Sequence, residues 1–174
     1  TRLVSGAGVP QLTALIDCAN TASNYNVPII ADGGTGGLSG NIVKCLAVGA
    51  SSVMLHGTLA GTEESPGMTI IKNGTKYKLY RGMASMTANV DKKELDNGKI
   101  EQDDLEEISA EGVESLVPYK GKASEVIKQL LAGIRAGLSY CGASNLEELK
   151  NNAEFIRLTE AGKIESKPHD VEII

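Results

Sequence analysis

The sequence predicts an α/β fold, and the segment from residue 27 to residue 61 carries that prediction. Residues 27–31 form a short apolar run rich in β-branched side chains, and an Asp-Gly-Gly sequence ends it. Residues 51–55 repeat the pattern, and each run is typical of a parallel strand buried on both faces. A helical pattern separates the runs. We therefore expect a βαβ unit whose two strands share one sheet.

The helical pattern covers residues 39–49. Its apolar positions fall on one helical face, as a core-facing helix requires. These positions are Ile42, Val43, Leu46 and Ala47. Ser39 is expected to cap the N-terminus of this helix, and Gly49 is expected to close its C-terminus.

A candidate binding site follows the two strands. In βαβ units, ligands bind beyond the carboxyl ends of the strands, where loops expose backbone N–H groups near helix N-termini. Asp32 follows the first strand, and glycines follow both: Gly33, Gly34, Gly36, Gly37, Gly57 and Gly61. Glycine lets a phosphate approach the backbone, and a carboxylate suits a pair of sugar hydroxyls. The same residues also fit a simple turn.

Composition favours an ordinary globular protein. The chain has 174 residues, of which 41% are hydrophobic and 22% charged. Its net charge of −5, with no basic patch, one Phe and no Trp, gives no support for nucleic-acid binding. No apolar run reaches the ~18 residues of a membrane span and no signal-peptide pattern is present, so we expect no membrane insertion or secretion. For Cys18, Cys45 and Cys141, odd in number and widely spaced, we expect buried, reduced thiols in a cytoplasmic protein.

A helix is expected before the first strand. Residues 1–10 are glycine-rich, and residues 11–25 then place Leu12, Leu15, Ile16 and Ala19 at helical spacing. Two parallel strands cannot close an eight-stranded barrel, which takes about 250 residues, so we expect the chain to be the end of a larger unit.

After residue 61 the pattern changes. Residues 68–79 hold two β-prone runs around Asn73-Gly74, which is a strong hairpin signal. Residues 84–110 then carry eight acids and three lysines with few apolar side chains, so this segment is expected to be mobile. Composition leaves open whether it is a solvated loop or a flap over a site.

The C-terminal part predicts two helices and a polar tail. Residues 122–138 form an amphipathic pattern with Ser124 as the expected cap, and Ser144 and Glu147 fit a capping box. The apolar stripe of the first helix consists of Val126, Ile127, Leu130, Leu131, Ile134 and Leu138. A brief apolar segment, 155–158, precedes the polar tail 165–171.

A series of motifs in fixed order covers nearly the whole chain. They are TR-x3-G-x-GVPQ-x-TA, ADGG, SGNIVK, VML, LAGTEESPG, YRGM, EGVES, VPYKG and ESKPHDV. In these motifs the sequence resembles the C-terminal half of the IMP dehydrogenase and GMP reductase family. The resemblance implies a (β/α)8 TIM barrel, an NAD or NADP cofactor, a purine nucleoside monophosphate at the barrel mouth, and a homotetramer.

The resemblance also implies a division of the chain into three parts. Residues 1–83 would hold barrel strands seven and eight and a hairpin that leaves the barrel. Residues 84–110 would form a flap, and residues 111–174 the last barrel helix and the tail. The N-terminal part of the same barrel would pack against them.

The site residues implied by the resemblance fall into three groups. Those implied for the nucleotide are Asp32, Gly33, Gly34, Leu55, His56, Gly57, Tyr80, Gly82, Met83 and Glu111. Within this group Asp32 matches the ribose ligand, Gly34 and Tyr80 match phosphate contacts, and Gly82 and Met83 match purine contacts. Thr1 and Glu111 match a proton relay. Glu165, Ser166 and Lys167 match a segment that completes a potassium site on a neighbouring subunit through backbone oxygens.

The family's nucleophile is a cysteine two residues before the position of Thr1, so none of the three cysteines of this chain is expected to be catalytic. His56-Gly57 departs from the family pattern, and the loop 35–38 is longer than usual. Residues 84–110 contain neither Arg nor Tyr, whereas the dehydrogenases carry an adjacent Arg-Tyr pair there that activates water.

Three activities therefore remain open. IMP dehydrogenase is the preferred interpretation, because of the motifs over the whole chain, the length of the flap and the ESKPHDV tail. GMP reductase is favoured by the missing Arg-Tyr pair. A catalytically inactive nucleotide-binding homologue is suggested by His56 and by a cysteine loop that is not part of this sequence.

Overall fold

A computed structural model describes residues 2–34, 36–82, 85, 88, 92, 95 and 114–166 of the protein. In chain order the elements are α1 (Arg2–Ser5), α2 (Gln11–Ser23), β1 (Ile30–Ala31), α3 (Ser39–Ala47), β2 (Ser52–Val53), α4 (His56–Leu59), β3 (Thr69–Lys72), β4 (Thr75–Arg81), β5 (Glu114–Pro118), α5 (Ala123–Tyr140), α6 (Leu146–Asn152) and α7 (Glu160–Glu165). The short helices α1, α4 and α7 were not expected from the sequence.

The predicted βαβ unit is confirmed. Strands β1 and β2 pair in parallel with Ile30 opposite Ser52, and α3 lies between them in the chain. Burial on both faces is wrong for this pair, because Ala31 is fully buried whereas Ile30 is 61% exposed and Val27 is also exposed. A strand is buried on both faces only where a layer covers each face, and among the described residues the face of Ile30 has no such cover.

The main core lies between α3, α5 and α6. Its buried residues are Ile42, Leu46, Ala47, Leu130 and Leu149. The apolar face predicted for α3 is therefore confirmed, with Val43 packed against it half-buried. The stripe predicted for α5 is confirmed only in part, since Ile127 and Leu131 are exposed.

Glycines allow α3 and α5 to approach closely. A Cβ added to Gly133 would collide with Oγ of Ser39, and one added to Gly137 would lie 2.7 Å from Cγ2 of Val43. Side chains at these two positions would push the helices apart. Gly49 has φ of +114° and follows the last turn of α3, as predicted for a closing glycine.

The caps predicted for α3 and α5 are wrong. Ser39 is the first residue of α3 itself, and the preceding Leu38 makes no side-chain capping bond. Ser124 lies inside α5, and instead Oε2 of Glu64 accepts a hydrogen bond from the Ala123 N–H at 2.8 Å. A carboxylate brought by the fold thus takes the place of a local hydroxyl, which sequence spacing alone cannot reveal.

The capping box of α6 lies one residue later than predicted from Ser144 and Glu147. Oδ1 of Asn145 accepts from the Glu148 N–H at 2.9 Å. Oε2 of Glu148 in turn accepts from the Ser144 N–H at 2.7 Å. Asn145 is therefore the cap, and Glu148 bonds the N–H of the residue before the cap instead of the cap's own N–H as in a regular capping box.

Helix α2 packs on the βαβ unit. Leu15 is buried in a second core with Ala31, Cys45 and Ala50, as predicted. Ile16 is 40% exposed, so its predicted place on the packed face is wrong. Cys18, which also lies in α2, is exposed, so the expectation of a buried thiol is wrong for this cysteine.

The other two cysteines follow that expectation more closely. Cys45 is buried, Cys141 is half-buried, and all three cysteines are free.

A three-stranded antiparallel sheet follows the βαβ unit. Strands β3 and β4 form a hairpin whose turn residues Asn73 and Gly74 both have positive φ. Strand β5 pairs with the other edge of β4, with Ser115 opposite Tyr80. The sequence did not indicate β5, because its place depends on pairing with β4 rather than on a local pattern.

Two further sequence predictions concern the acidic segment and the chain after α6. The acidic segment 84–110 lies outside the described residues except for positions 85, 88, 92 and 95. Residues 155–158 are largely exposed and form neither helix nor strand. Within the described part of the chain, no helix combines the length and the apolarity needed to cross a membrane.

Candidate functional site

The parallel pairing of β1 and β2 places two predicted site loops at one edge of the sheet. The Met54 N–H donates to the Ala31 carbonyl at 2.9 Å, so the two chains leave the sheet side by side. Asp32 follows β1 directly, and Leu55 is the residue before α4. The structure thus brings the Asp32 loop and the Leu55 loop together.

The first loop is built from glycines in a conformation that other residues rarely adopt. Gly33, Gly34, Gly36 and Gly37 have φ of +91°, +73°, +54° and +75°. A backbone of this kind turns sharply, and the absence of Cβ atoms leaves its N–H groups approachable by a ligand. Helix α3 starts at Ser39, so its N-terminus lies next to this loop.

Asp32 presents an exposed carboxylate at the start of the loop. The preceding Ala31 is fully buried, which fixes where Asp32 leaves the sheet. A charged, exposed group on a well-anchored backbone can accept hydrogen bonds from ligand hydroxyls.

The second loop contacts the first. A Cβ added to Gly37 would lie 3.5 Å from Oγ1 of Thr58 in α4, and Thr58 is buried. His56 opens α4, but its side chain lies outside the described part of the structure. The two loops therefore meet where Gly37 approaches Thr58.

Lys120 ties the sheet of β3, β4 and β5 to this surface. Its Nζ donates to the Thr58 carbonyl at 2.9 Å, and its N–H donates to the Gly61 carbonyl at 2.8 Å. Gly61 packs so closely on the Pro118 carbonyl that a side chain there would collide with it. The strand that pairs with Tyr80 is therefore anchored to the helix that follows β2.

Lys78 and Glu64 hold the segment between α4 and β3. The Lys78 ammonium is buried and donates to the Ser65 carbonyl at 2.6 Å. The Ala123 N–H that bonds Glu64 lowers the pKa of that carboxyl. The hydrogen bonds of both side chains fix this segment, and we assign the two residues to the support of the site.

The remaining predicted site residues are only partly described. Tyr80 is half-buried in β4, and Gly82 follows that strand. Thr1, Met83, Glu111 and Lys167 lie outside the described residues. Glu165 and Ser166 are at the end of α7, where the Ser166 N–H donates to the Gly162 carbonyl at 3.0 Å.

The last carbonyls of a helix suit a hard cation such as potassium, because they lack partners within the helix. Among the described residues no three His, Cys, Asp or Glu side chains come together as metal ligands. The potassium site that the family resemblance implies, through backbone oxygens of Glu165, Ser166 and Lys167, therefore stays a prediction.

The sequence reasoning missed three supporting residues: Gln11, Thr58 and Lys120. Gln11 opens α2 and lies against Gly34, at 2.7 Å from its Cγ to a Cβ built there. The signal in the sequence was that Gln11 lies four residues before Leu15 and therefore on the same face of α2. Thr58 and Lys120 line a cleft of about 500 Å³ between α3 and α5, beside the predicted loops, and Asp32 is not among the lining residues.

Cys45 does not have the environment of a reactive thiol. Burial raises the pKa of its thiol, although the charge of Lys44 acts in the opposite direction. A thiol with a raised pKa is a poor nucleophile at neutral pH.

Comparison with known proteins assigns the chain to a family. A sequence model described as the IMP dehydrogenase / GMP reductase domain matches residues 1–169. The chain belongs to this family. It is 52% identical to an inosine-5'-monophosphate dehydrogenase from Nitrosopumilus maritimus over 98% of this chain and 36% of the relative. It is 46% identical to a GMP reductase from Leishmania donovani over 98% of this chain and 34% of the relative.

A solved structure supports the α/β class of the fold. It is the crystal structure of a cysteine-to-alanine variant of GMP reductase from Trypanosoma brucei, in complex with guanosine 5'-monophosphate. The likeness has a TM-score of 0.87 at 44% identity and covers 99% of this chain and 34% of that one. The chain therefore spans about a third of the length of the family members that it matches.

Proposed function

We propose that the chain is the C-terminal portion of the catalytic barrel of an IMP dehydrogenase, which oxidises IMP to XMP with NAD and water in guanine nucleotide synthesis. The observation that carries this proposal is the edge of the β1–β2 sheet, where an exposed carboxylate and left-handed glycines lie side by side. That arrangement suits a nucleoside monophosphate, and the chain belongs to a family whose members are named for such substrates.

In this proposal β1 and β2 are strands seven and eight of a (β/α)8 barrel, and the N-terminal part of the same barrel supplies the others. The exposed apolar side chains of Val27 and Ile30 support it, because a neighbouring strand and layer would cover them. Residues 84–110 act as a flap, and residues 111–174 provide β5, the last barrel helix and the tail.

The nucleotide is held by both loops. Asp32 accepts hydrogen bonds from the ribose hydroxyls, and the backbone of Gly33 and Gly34 donates to the phosphate. The backbone of Leu55, His56 and Gly57 and the hydroxyl of Tyr80 complete the phosphate site. Gly82, Met83 and Glu111 contact the purine.

Proton transfer falls to Thr1 and Glu111, which form a relay that takes a proton from water. NAD, or NADP, accepts or supplies the hydride when bound. The attacking thiolate belongs to a cysteine outside this chain. Cys45 has the wrong environment for that role.

In this proposal the potassium site is completed when the subunits assemble. The backbone oxygens of Glu165, Ser166 and Lys167 hold potassium for a neighbouring subunit of a homotetramer. The free thiols of the chain fit a cytoplasmic enzyme.

GMP reductase is the second candidate, with GMP and NADPH giving IMP and ammonia. The observation in its favour is that residues 84–110 contain neither Arg nor Tyr. A dehydrogenase must hydrolyse its covalent intermediate with water, whereas a reductase needs no such step.

Steady-state assays of the protein at its natural length test the two candidates. The expected result is NADH formation from IMP and NAD, with a raised KM for IMP in an Asp32→Asn variant. NADPH consumption with GMP alone would replace the dehydrogenase by the reductase. Nucleotide binding without either reaction would show that the protein is a catalytically inactive homologue. Failure to bind either IMP or GMP would contradict the proposed site.

A further inference from the structure

One face of α2 runs along the whole βαβ unit. Gln11, Leu15 and Ala19 are spaced by four residues and so share this face. Leu15 packs in the core with Ala31, the residue before Asp32. Ala19 lies against the end of α3, since its Cβ is 2.7 Å from a Cβ built on Gly49.

The third contact of this face is with the candidate site loop. A Cβ built on Gly34 would lie 2.7 Å from Cγ and 2.9 Å from Cβ of Gln11. Oε1 of Gln11 lies 3.9 Å from a Cβ built on Gly33. The loop therefore rests on the aliphatic stem of Gln11, close enough that a side chain on Gly34 would displace one of the two.

The backbone of Gln11 is itself fixed. It is the first residue of α2, after Pro10 with φ of −54° and ψ of 134°. The Pro10 carbonyl accepts from the Ala14 N–H at 3.0 Å, which closes the first turn. A half-buried side chain on a fixed helix start can hold a loop in one position, because the loop cannot move toward α2 without a clash.

From these contacts we infer that Gln11 is a positioning residue for the nucleotide, acting through Gly34 on the loop that carries Asp32. The inference rests on the proposed function, since it assigns Gln11 to the support of the proposed ribose and phosphate contacts. The methylene groups of Gln11 set the distance between the loop and α2. The left-handed glycines have no side chains of their own that could fix this distance.

The test compares three variants of the protein at its natural length by calorimetric titration with IMP and with GMP. Gln11→Ala removes Cγ and is expected to weaken nucleotide binding by roughly 10-fold, because small displacements of positioning groups are costly. Gln11→Met keeps Cβ and Cγ and is expected to bind within about twofold of the unmodified protein. Thr13→Ala, at an exposed position of the same helix, is the matched control and is expected to change nothing.

Kinetics and melting separate positioning from a merely structural role. In Gln11→Ala the KM for the nucleotide should rise while the KM for the nicotinamide cofactor and the melting temperature stay close to their original values. Unchanged nucleotide affinity in Gln11→Ala, or a lower melting temperature as the sole effect, would overturn the inference. So would a loss in Gln11→Met as large as that in Gln11→Ala, because the amide rather than the stem would then matter.

Nucleotide binding by the unmodified protein separates failure of the positioning role from failure of the proposed function. If it binds IMP or GMP and Gln11→Ala binds equally well, the positioning role alone is wrong. If the unmodified protein binds neither nucleotide, the proposed function fails, and the inference fails with it.

Discussion

Glu64 caps a helix that begins 59 residues later in the chain, with its Oε2 accepting from the Ala123 N–H at 2.8 Å. The bond joins the segment between α4 and β3 to the N-terminus of α5. A carboxylate at this end of a helix also interacts favourably with the helix dipole. The contact therefore links the support of the site to the longest described helix.

Neutralising Glu64 should lower stability in a pH-dependent way. The Ala123 N–H lowers the pKa of this carboxyl in the folded state. The bond thus stabilises the fold above the pKa of an unfolded glutamate, about 4.3, and the contribution is lost as pH falls through the lower folded value. Glu64→Gln should melt below the unmodified protein at neutral pH, and the difference should shrink under acid conditions.

Glu63→Gln is the control for this prediction, since Glu63 is the exposed neighbour and its described hydrogen bonds are made by its backbone N–H and carbonyl. It should melt like the unmodified protein at every pH. If the difference in melting temperature between Glu64→Gln and the unmodified protein stayed constant from neutral to acid pH, the charge of Glu64 would not be the cause of the lost stability.

The sequence pattern correctly predicted those features of the fold that depend on neighbouring residues in the chain. The glycine that closes α3, the face of Ile42 and Leu46, and the paired strands all follow from residues near them in sequence. The cap of α5 was misplaced because it depends on a contact made by the fold, the bond of Glu64 to Ala123.

The residues of the candidate site divide in the same way into local and tertiary features. Asp32 and the glycines could be found from sequence because they follow a strand. Gln11 and Lys120 support the site only through tertiary contacts with Gly34 and Thr58, which lie far from them in the chain. Helical spacing can place Gln11 on the packed face of α2, but no local pattern encodes which loop it meets.

Asp32→Asn should weaken nucleotide binding with little change in stability. The substitution removes a charged acceptor at an exposed position, and losing a charged hydrogen bond costs about 1 to 3 kcal/mol of binding free energy. Titration with IMP and GMP measures the loss, and thermal unfolding measures the stability. Asp17→Asn, at an exposed position of α2, is the control. A large fall in melting temperature with unchanged nucleotide affinity would show that Asp32 serves only the turn.

Gly137→Ala should destabilise the packing of α3 on α5. The added Cβ would lie 2.7 Å from Cγ2 of Val43 and 2.9 Å from Cγ1, and such overpacking costs roughly 1 to 3 kcal/mol of unfolding free energy. Adding Val43→Ala should restore part of the loss. Denaturant unfolding measures each variant.

Gly40→Ala provides the matched control in α3, where the added Cβ meets no atom within 4 Å. This substitution should be neutral or stabilise by up to about 1 kcal/mol, because Ala favours a helix more than Gly does. If both glycine substitutions had the same effect, close helix packing would not explain either.

The missing Arg-Tyr pair should separate the two halves of the proposed dehydrogenase reaction. Hydride transfer needs the nucleotide, a thiolate and a nicotinamide held close, and none of these depends on the pair. Hydrolysis needs a base near the attacking water. With only Thr1 and Glu111 to activate water, IMP and NAD should give a rapid burst of NADH followed by slow turnover.

Placing the pair at positions 96 and 97 tests this account of the slow phase. Asp96→Arg with Asn97→Tyr should speed the slow phase more than the burst in stopped-flow records of NADH formation. Asp96→Lys with Asn97→Phe keeps a positive charge and a ring but removes the guanidinium and the phenol hydroxyl, so it should leave the slow phase unchanged. Turnover of IMP by the unmodified protein at about 1 to 10 per second without a burst would mean that another residue serves as the base. Reduction of GMP with NADPH and no burst from IMP would instead place the protein with the reductases, which have no hydrolytic step for the pair to assist.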